Sequence, residues 1–201
     1  MFNPNFIGIY DNAISSYNCK EIIKWTEKQD LARGLCIGLD YKLGVDTKSK
    51  RDWEVHYSKT RFSNRTFVDL IITDSLVKFT PLYLESYPSI DKIDSFAQDE
   101  YYNIQKYDPG DGFYNLHCEN TGKSSANRVL AWMIYFNTVT DKGGTYFSTY
   151  NKTINAKEGR LVIWPAYFTH THKGVVSKTQ TKYIATGWHS YSSDPMTAQD
   201  W

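Results

Sequence analysis

The sequence has few cysteines, no long apolar run and almost no net charge, and each absence excludes a class of protein. Its three cysteines, Cys19, Cys36 and Cys118, are an odd number with no C-x-x-C pair, which predicts reduced thiols rather than a disulfide framework. No apolar stretch approaches the roughly 20 residues of a membrane-spanning helix. The start of the chain also lacks the pattern of a secretory signal. We therefore expect a cytoplasmic protein without a membrane partner.

Positive and negative charges almost cancel. Lysine and arginine number 23, aspartate and glutamate number 22, and the formal net charge is +1. Such a chain has no long-range field for a polyanion, so we expect no nucleic-acid partner. Hydrophobic residues make up 41% of the 201 residues, which is enough for one well-buried core. We predict a single domain over residues 1–201, and its oligomeric state stays open.

The first part of the chain, residues 1–95, is predicted to supply helical support and a loop region. The stretch "SSYNCKEIIKWTEKQDL" has helical spacing of apolar residues after a capping Ser15 or Ser16. A second helical pattern runs over residues 64–85, and we expect Pro81 to interrupt or kink it.

Two further segments of this part have weaker patterns. Residues 3–10 alternate apolar and polar side chains and predict an edge strand. Residues 40–60 are polar and charged, and predict an exposed loop with room for one strand.

The second part, residues 96–190, consists of short runs rich in β-branched and aromatic residues. They include "EYYNIQKY", "RVLAWMIYFN" and "GRLVIWPAY", and turn signals such as "DPGDG" and "DKGG" separate them. Helices followed by strands at this spacing predict an α+β fold with a β-sandwich or jelly-roll core.

A candidate metal site begins at "FYNLHCEN". A lone histidine is usually a structural residue, and His56 and His189 are assigned no ligand role. His117 and Glu119 differ because residues i and i+2 of an extended segment point to the same face. With a third ligand they would form a two-histidine, one-carboxylate triad, which suits non-haem Fe(II) chemistry. The H-x-E pair alone is a weak signal.

Candidate third ligands follow the strand "GRLVIW". His170 and His172 lie there, and Lys182 comes ten residues after His172 in the strand "TKYIATGW". A cation inside a β-barrel is costly unless it is paired, so Lys182 indicates an anionic ligand. A lysine on the solvent face of that strand is the alternative, and residue pattern alone leaves both open.

These segments together resemble the Fe(II)- and 2-oxoglutarate-dependent oxygenases, in their prolyl-4-hydroxylase-like branch. The resemblance covers about residues 100–190 and includes "YDPGDGFYNLHCE", "MIYFN" followed by "GGTYF", "GRLVIWPAYFTHTHKG" and "KYIATGW". It implies a double-stranded β-helix, or jelly-roll, core with the N-terminal helices packed on one sheet.

The resemblance also implies roles for individual residues. His172 is the expected distal metal ligand, with His170 as a substitute. Glu119 stands where the family usually has aspartate, and Lys182 stands where many prolyl hydroxylases have arginine. The implied metal ligands are His117, Glu119 and His172, and the implied 2-oxoglutarate-binding residues are Lys182, Tyr107 and Tyr135.

The implied activity is hydroxylation of a prolyl residue in a peptide or protein, with succinate and CO2 as co-products. The cofactors are Fe(II), 2-oxoglutarate and O2, with ascorbate as a candidate reductant. A small-molecule substrate, a nucleic-acid base as substrate and a non-catalytic metal- or ligand-binding module are alternatives. The polar segment 40–62 is either a lid over the site or plain surface.

Overall fold

The computed structural model describes residues 5–37, 43–58 and 66–191 of the chain. It contains two α-helices, α1 (Ser16–Thr26) and α2 (Phe67–Ser86), and three short 3-10 helices at Pro88–Lys92, Lys123–Ser125 and Phe168–His170. The strands are β1 (Gly8–Tyr10), β2 (Ala32–Arg33), β3 (Cys36–Ile37), β4 (Leu43–Gly44), β5 (Lys50–Arg51), β6 (Trp53–Ser58), β7 (Phe96–Tyr107), β8 (Gly112–Phe113), β9 (Arg128–Tyr135), β10 (Thr145–Phe147), β11 (Lys152–Ile154), β12 (Arg160–Pro165), β13 (His172–Gly174) and β14 (Lys182–Tyr191).

The strands form two larger antiparallel sheets and two short pairs. Seven strands form the main sheet in the order β1-β12-β9-β14-β7-β6-β2, and three form a smaller sheet in the order β11-β10-β13. The pairs β3-β4 and β5-β8 complete the described strands. This arrangement of two helices on a mostly β structure confirms the α+β prediction and is consistent with a jelly-roll core.

The main sheet separates two hydrophobic clusters, because successive side chains of a strand point to opposite faces. On β9, Trp132 and Ile134 join residues of α1 and α2 in one cluster. Met133 and Tyr135 join residues of the smaller sheet in the other. The helices therefore pack on one face of the main sheet, as predicted, and the smaller sheet covers the opposite face.

Helix α1 follows the prediction closely. Ser15 is its N-cap, and its hydroxyl accepts a hydrogen bond from the backbone N–H of Asn18. Cys19, Ile22 and Thr26 are buried at helical spacing. Strand β1 lies at the edge of the main sheet, which confirms the predicted edge strand over part of its length.

Helix α2 continues past Pro81, so the predicted interruption is wrong. Proline removes one hydrogen bond of the helix, but burial on both sides of it outweighs that loss. Thr80 and Tyr83 are buried, and the Tyr83 hydroxyl donates to the carbonyl of Phe6 over 2.9 Å. Among the described residues, no helix is both long and apolar enough to cross a membrane.

The predicted exposed loop at residues 40–60 is wrong for part of the described range, and the one strand that the prediction allowed is β6. Strand β6 pairs along its length with β7, and β5 pairs with β8. Lys50 and Asp52 are buried. Residues 40–42 and 59–62, which belong to the predicted lid, lie outside the described residues.

The turn before β12 needs a glycine. Gly159 has a φ of +72°, and a Cβ atom there would lie 2.3 Å from the carbonyl oxygen of Ile14. The Gly159 carbonyl accepts a hydrogen bond from the N–H of Ala13 at 2.8 Å, and its N–H donates to Tyr135 at 2.9 Å. The turn therefore connects the start of the chain to the main sheet through close backbone contacts.

We expect Gly159→Ala to destabilise the protein by about 1–3 kcal/mol, because alanine is strained at this φ and collides with backbone. Thermal unfolding should show a melting temperature several degrees lower. Gly122→Ala is the matched control, since Gly122 is extended and a Cβ there meets open space. Equal melting temperatures for the two variants would contradict this account of the turn.

Candidate metal centre and anion pocket

A single β-bridge brings the two predicted histidine ligands together. The His117 N–H donates to the His172 carbonyl at 2.9 Å, and the His172 N–H donates to the His117 carbonyl at 2.8 Å. The centres of the two imidazole rings are 4.4 Å apart. His172 also starts β13, which pairs with β10 of the smaller sheet. The bridge thus joins the backbone of His117 to β13, and both imidazoles are positioned relative to the smaller sheet.

Glu119 is placed by the backbone that follows the bridge. The N–H groups of Glu119 and Asn120 both donate to the carbonyl of Ala166, at 3.0 and 2.9 Å. The segment is a bend and not a continuous strand. The side chains of His117 and Glu119 lie close together as predicted, but the alternation of a regular strand is not the reason. The Oε1 atom of Glu119 lies 3.3 Å from Nε2 of His172 and 3.6 Å from Nε2 of His117.

Backbone carbonyls set the tautomers of both imidazoles. Nδ1 of His117 lies 3.0 Å from the carbonyl of Asn115, and Nδ1 of His172 lies 2.9 Å from the carbonyl of His170. A carbonyl only accepts, so each Nδ1 carries the hydrogen, and a neutral ring presents a bare lone pair at Nε2. Both Nε2 atoms therefore direct lone pairs towards the carboxylate of Glu119.

Aromatic packing holds the imidazoles in place. The Phe113 ring stacks on His117 with ring centres 3.7 Å apart, and Trp164 meets His172 edge-on at 5.1 Å. Burial lowers the pKa of His117 to about 4, and the neighbouring His172 acts in the same direction. His117 is therefore a neutral imidazole near pH 7.

The carboxylate of Glu119 is ionised despite its burial. Burial raises its pKa, but the neighbouring His172 and His117 and the N–H of Trp188 together outweigh burial and hold the pKa well below its ordinary value. Ligand atoms of His117, Glu119 and His172 all lie within 4.8 Å of one another. Lone pairs that converge on an ionised carboxylate fit a divalent cation, and two imidazoles with one carboxylate suit non-haem Fe(II).

Lys182 lies in the protein interior, which rules out the solvent-facing alternative. Its side chain is 5% exposed at the start of β14, and its ammonium lies 4.5 Å from the ring centre of Tyr107. A Cβ on Gly174 would lie 3.9 Å from the Lys182 nitrogen, so the ammonium adjoins the strand that starts with His172. Within the described ranges, no carboxylate lies within ion-pair distance of Lys182.

Burial lowers the pKa of Lys182 to about 8, and the negative charge of Asp52 acts in the opposite direction. A buried ammonium without a carboxylate in contact destabilises the folded state. It also provides a favourable position for a carboxylate from outside the chain.

The two predicted tyrosines are both buried, and Tyr107 adjoins this cation. The Tyr135 hydroxyl shares a hydrogen bond of 2.6 Å with Thr145. Burial raises the pKa of Tyr107 well above its ordinary value, and the carboxylates of Asp52 and Glu119 contribute. Both phenols are therefore protonated near pH 7 and can donate a hydrogen bond.

The structure adds a buried charged cluster that the sequence interpretation missed. Lys50 lies 3.2 Å from Asp52 and 2.8 Å from Glu54, and Gln105 donates to Asp52 over 2.8 Å. These three charged residues alternate along the chain, so an extended segment places them on one face. The alternation of charged residues in the sequence could have indicated this cluster, but the whole segment is polar and was therefore predicted to be an exposed loop.

The remaining histidines lie away from the centre. His170 lies in a 3-10 turn, and its Nε2 donates to the carbonyl of Asn5 over 2.8 Å. His170, the substitute ligand of the prediction, is therefore bonded elsewhere, and His172 is the histidine that joins His117 and Glu119. His56 is exposed and bonds Asn103, and His189 is buried 3.4 Å from Thr80.

The fold and the donor set define a class of protein: an α+β structure in which two imidazoles and a carboxylate converge as in non-haem iron sites. Residues 102–190 match the family model of the 2OG-Fe(II) oxygenase superfamily, and all six predicted site residues lie within this match. A comparison with curated proteins gives no match. The predicted resemblance to the 2OG-Fe(II) oxygenases is thus confirmed.

Several solved structures of prolyl hydroxylases share the fold of this chain. One is the viral collagen prolyl hydroxylase of Paramecium bursaria Chlorella virus 1, solved as a 2OG complex. Its TM-score is 0.68 at 19% identity, and the match covers 93% of this chain and 97% of the viral chain. Another is a Trichoplax adhaerens prolyl hydroxylase in complex with a hypoxia inducible factor peptide, with a TM-score of 0.67 at 12% identity and a match that covers 98% of this chain and 88% of the other. A Pseudomonas putida prolyl-4-hydroxylase has a TM-score of 0.66 at 12% identity, covering 92% of each chain. The chain therefore has a prolyl-4-hydroxylase-like fold.

We expect Lys182→Met to stabilise the protein at pH 7 by on the order of 1–3 kcal/mol, because it removes a buried, unpaired ammonium. The folded state has the lower lysine pKa, so the wild type gains stability as pH rises from about 8 towards the ordinary lysine value. The advantage of the variant should shrink over that window. Urea unfolding at pH 7 and pH 10 measures both effects, and a destabilised variant at pH 7 would contradict them.

Proposed function

We propose that the chain is an Fe(II)- and 2-oxoglutarate-dependent dioxygenase that hydroxylates a prolyl residue of a peptide or protein. One observation carries the proposal. The imidazoles of His117 and His172 and the carboxylate of Glu119 converge next to a buried ammonium that has no carboxylate partner among the described residues. A metal and a dianionic cosubstrate together account for both features, whereas a purely structural role accounts for neither.

In this proposal the metal is held by Nε2 of His117, Nε2 of His172 and Oε1 of Glu119. Fe(II), 2-oxoglutarate and O2 would supply oxidative decarboxylation of the cosubstrate to succinate and CO2 and hydroxylation of a C–H bond. The chain contributes orientation and exclusion of water.

The residues around Lys182 suit the far carboxylate of the cosubstrate. The ammonium supplies charge, and the hydroxyls of Tyr107 and Tyr135 are protonated donors on the same side of the main sheet. The Tyr135 hydroxyl is hydrogen-bonded to Thr145 and can exchange that partner for a carboxylate oxygen. Lysine provides a point charge where arginine would give a bidentate fork, so the tyrosine donors fix the orientation.

One observation bears on the substrate. The fold is that of proteins described as prolyl hydroxylases, one of them solved with a peptide. A small-molecule oxygenase and a non-catalytic binding module are the alternatives, and the second is an alternative because glutamate stands at position 119 where the family usually has aspartate.

An anaerobic titration of the metal-free protein with Fe(II) and 2-oxoglutarate tests the cosubstrate complex. We expect a weak visible charge-transfer band, because the chelate forms only when metal and cosubstrate share the site. His172→Ala should abolish the band, and His56→Ala, at an exposed histidine, should leave it intact. Metal binding without a band would favour the binding module, and absence of metal binding would refute the metal centre.

Succinate release with a panel of substrates tests the reaction. We expect proline-containing peptides to raise Fe(II)-dependent succinate production well above the uncoupled background, and mass spectrometry to show a gain of one oxygen on proline. Free amino acids and oligonucleotides are the comparison arms. Turnover only with free amino acids would establish the small-molecule alternative, and turnover only with oligonucleotides would establish a nucleic-acid substrate.

A further inference from the structure

The two carboxylate oxygens of Glu119 have different neighbours. Oε1 faces the imidazoles of His117 and His172. Oε2 accepts a hydrogen bond of 2.8 Å from the indole Nε1–H of Trp188 and lies 3.8 Å from Nη1 of Arg128. One oxygen is therefore directed towards the candidate metal position, and the other is held on the opposite side.

Trp188 lies at an irregularity in β14. The register between β14 and β7 shifts between Gly187 and His189, so Trp188 lies at a β-bulge or similar irregularity. Bulges re-aim side chains and occur frequently beside active sites. Trp188 is also six residues from Lys182 on the same strand, so both belong to the face that carries the candidate site.

Arg128 completes the arrangement from the start of β9. Its Nη1 donates to the backbone carbonyl of Glu119 at 3.1 Å. Its guanidinium lies 3.6 Å from the ring centre of Trp188, in the stacked geometry that arginine forms with aromatic faces. Arg128 therefore fixes both the main chain of Glu119 and the plane of the indole that holds its side chain.

A glutamate ligand needs such support more than an aspartate does. The extra methylene moves the carboxylate by about 1.5 Å, roughly one carbon–carbon bond, and adds a torsion whose freedom is lost on ordering. A hydrogen bond to the distal oxygen removes that freedom before any metal arrives. Partners of this kind typically contribute about 10–100-fold to metal affinity.

We infer that Trp188 and Arg128 are positioning residues that clamp Glu119, so that glutamate rather than aspartate is the competent ligand in this chain. The inference rests on the proposed function, since it assumes that Glu119 binds the metal. Trp188 fixes the side chain through Oε2, and Arg128 fixes the main chain and the indole. The chain is thereby specific for the longer carboxylate at position 119.

Metal affinity tests the clamp without any turnover. Co(II) dissociation constants are measured by competition with a coloured chelator for the wild type, Trp188→Phe, Glu119→Asp and the double variant. Phenylalanine keeps an aromatic ring but removes the N–H donor. We expect each single variant to bind Co(II) about 10–100-fold more weakly than the wild type. The double variant should be little weaker than either single variant, because both remove the same hydrogen bond.

Two further variants keep the test decisive. Arg128→Lys, at a partly exposed position, keeps the charge but removes the planar stack, and we expect a smaller loss in the same direction. Trp25→Phe on α1 is the matched control and should leave Co(II) affinity unchanged. If Trp188→Phe fails to fold, Arg128→Lys and Glu119→Asp carry the test alone.

The results that would contradict the clamp differ from those that would contradict the metal centre. Wild-type affinity in Trp188→Phe, tighter binding in Glu119→Asp, unchanged affinity in Arg128→Lys or additive losses in the double variant would overturn the clamp while the metal centre stands. A wild type that binds no Co(II) and no Fe(II) would instead refute the metal centre, and the clamp with it.

Discussion

The candidate site depends on the pair of backbone hydrogen bonds between His117 and His172. This bridge is only one residue long on each side, yet it joins the segment after β8 to the smaller sheet. It sets the separation of two imidazoles whose Nδ1 atoms are already committed to backbone carbonyls. Because the ring orientations follow from main-chain geometry, the lone pairs at Nε2 converge without any help from a bound ion. Pre-organisation of this kind lowers the cost of ordering ligands when a metal binds.

The site lowers the stability of the protein in more than one place. Lys182 is buried without a carboxylate in contact, and the buried Asp52 retains an oxygen, Oδ1, that lacks a hydrogen-bond partner. Core packing elsewhere offsets these costs, since the main sheet is covered on both faces by apolar clusters. Strained or unsatisfied groups that persist in an otherwise well-packed protein concentrate where function needs them. Here the ammonium of Lys182 adjoins the strand that starts with His172.

Much of the fold could be predicted from the sequence, because local patterns determined it. The cap of α1 and the β-branched and aromatic run of β9 are readable from residue type and spacing. The continuation of α2 through Pro81 was not readable, because tertiary burial of Tyr83 overrides a local helix-breaking signal. The burial of Lys50 and Asp52 was not predicted, because these charged residues pair with each other rather than with solvent. For the site, spacing and the family resemblance identified His117, Glu119, His172 and Lys182, but the hydrogen bond of Trp188 to Glu119 joins residues that are far apart in the sequence, and no spacing rule reveals it.

The most direct test of the account is an anaerobic crystal structure of the protein with Fe(II) and 2-oxoglutarate. The account predicts a metal bound by Nε2 of both bridged histidines and by Oε1 of Glu119, with Oε2 still on the indole of Trp188. It also predicts the far carboxylate of 2-oxoglutarate on the ammonium of Lys182. A metal held by other side chains, or a cosubstrate whose far carboxylate lies away from Lys182, would contradict it.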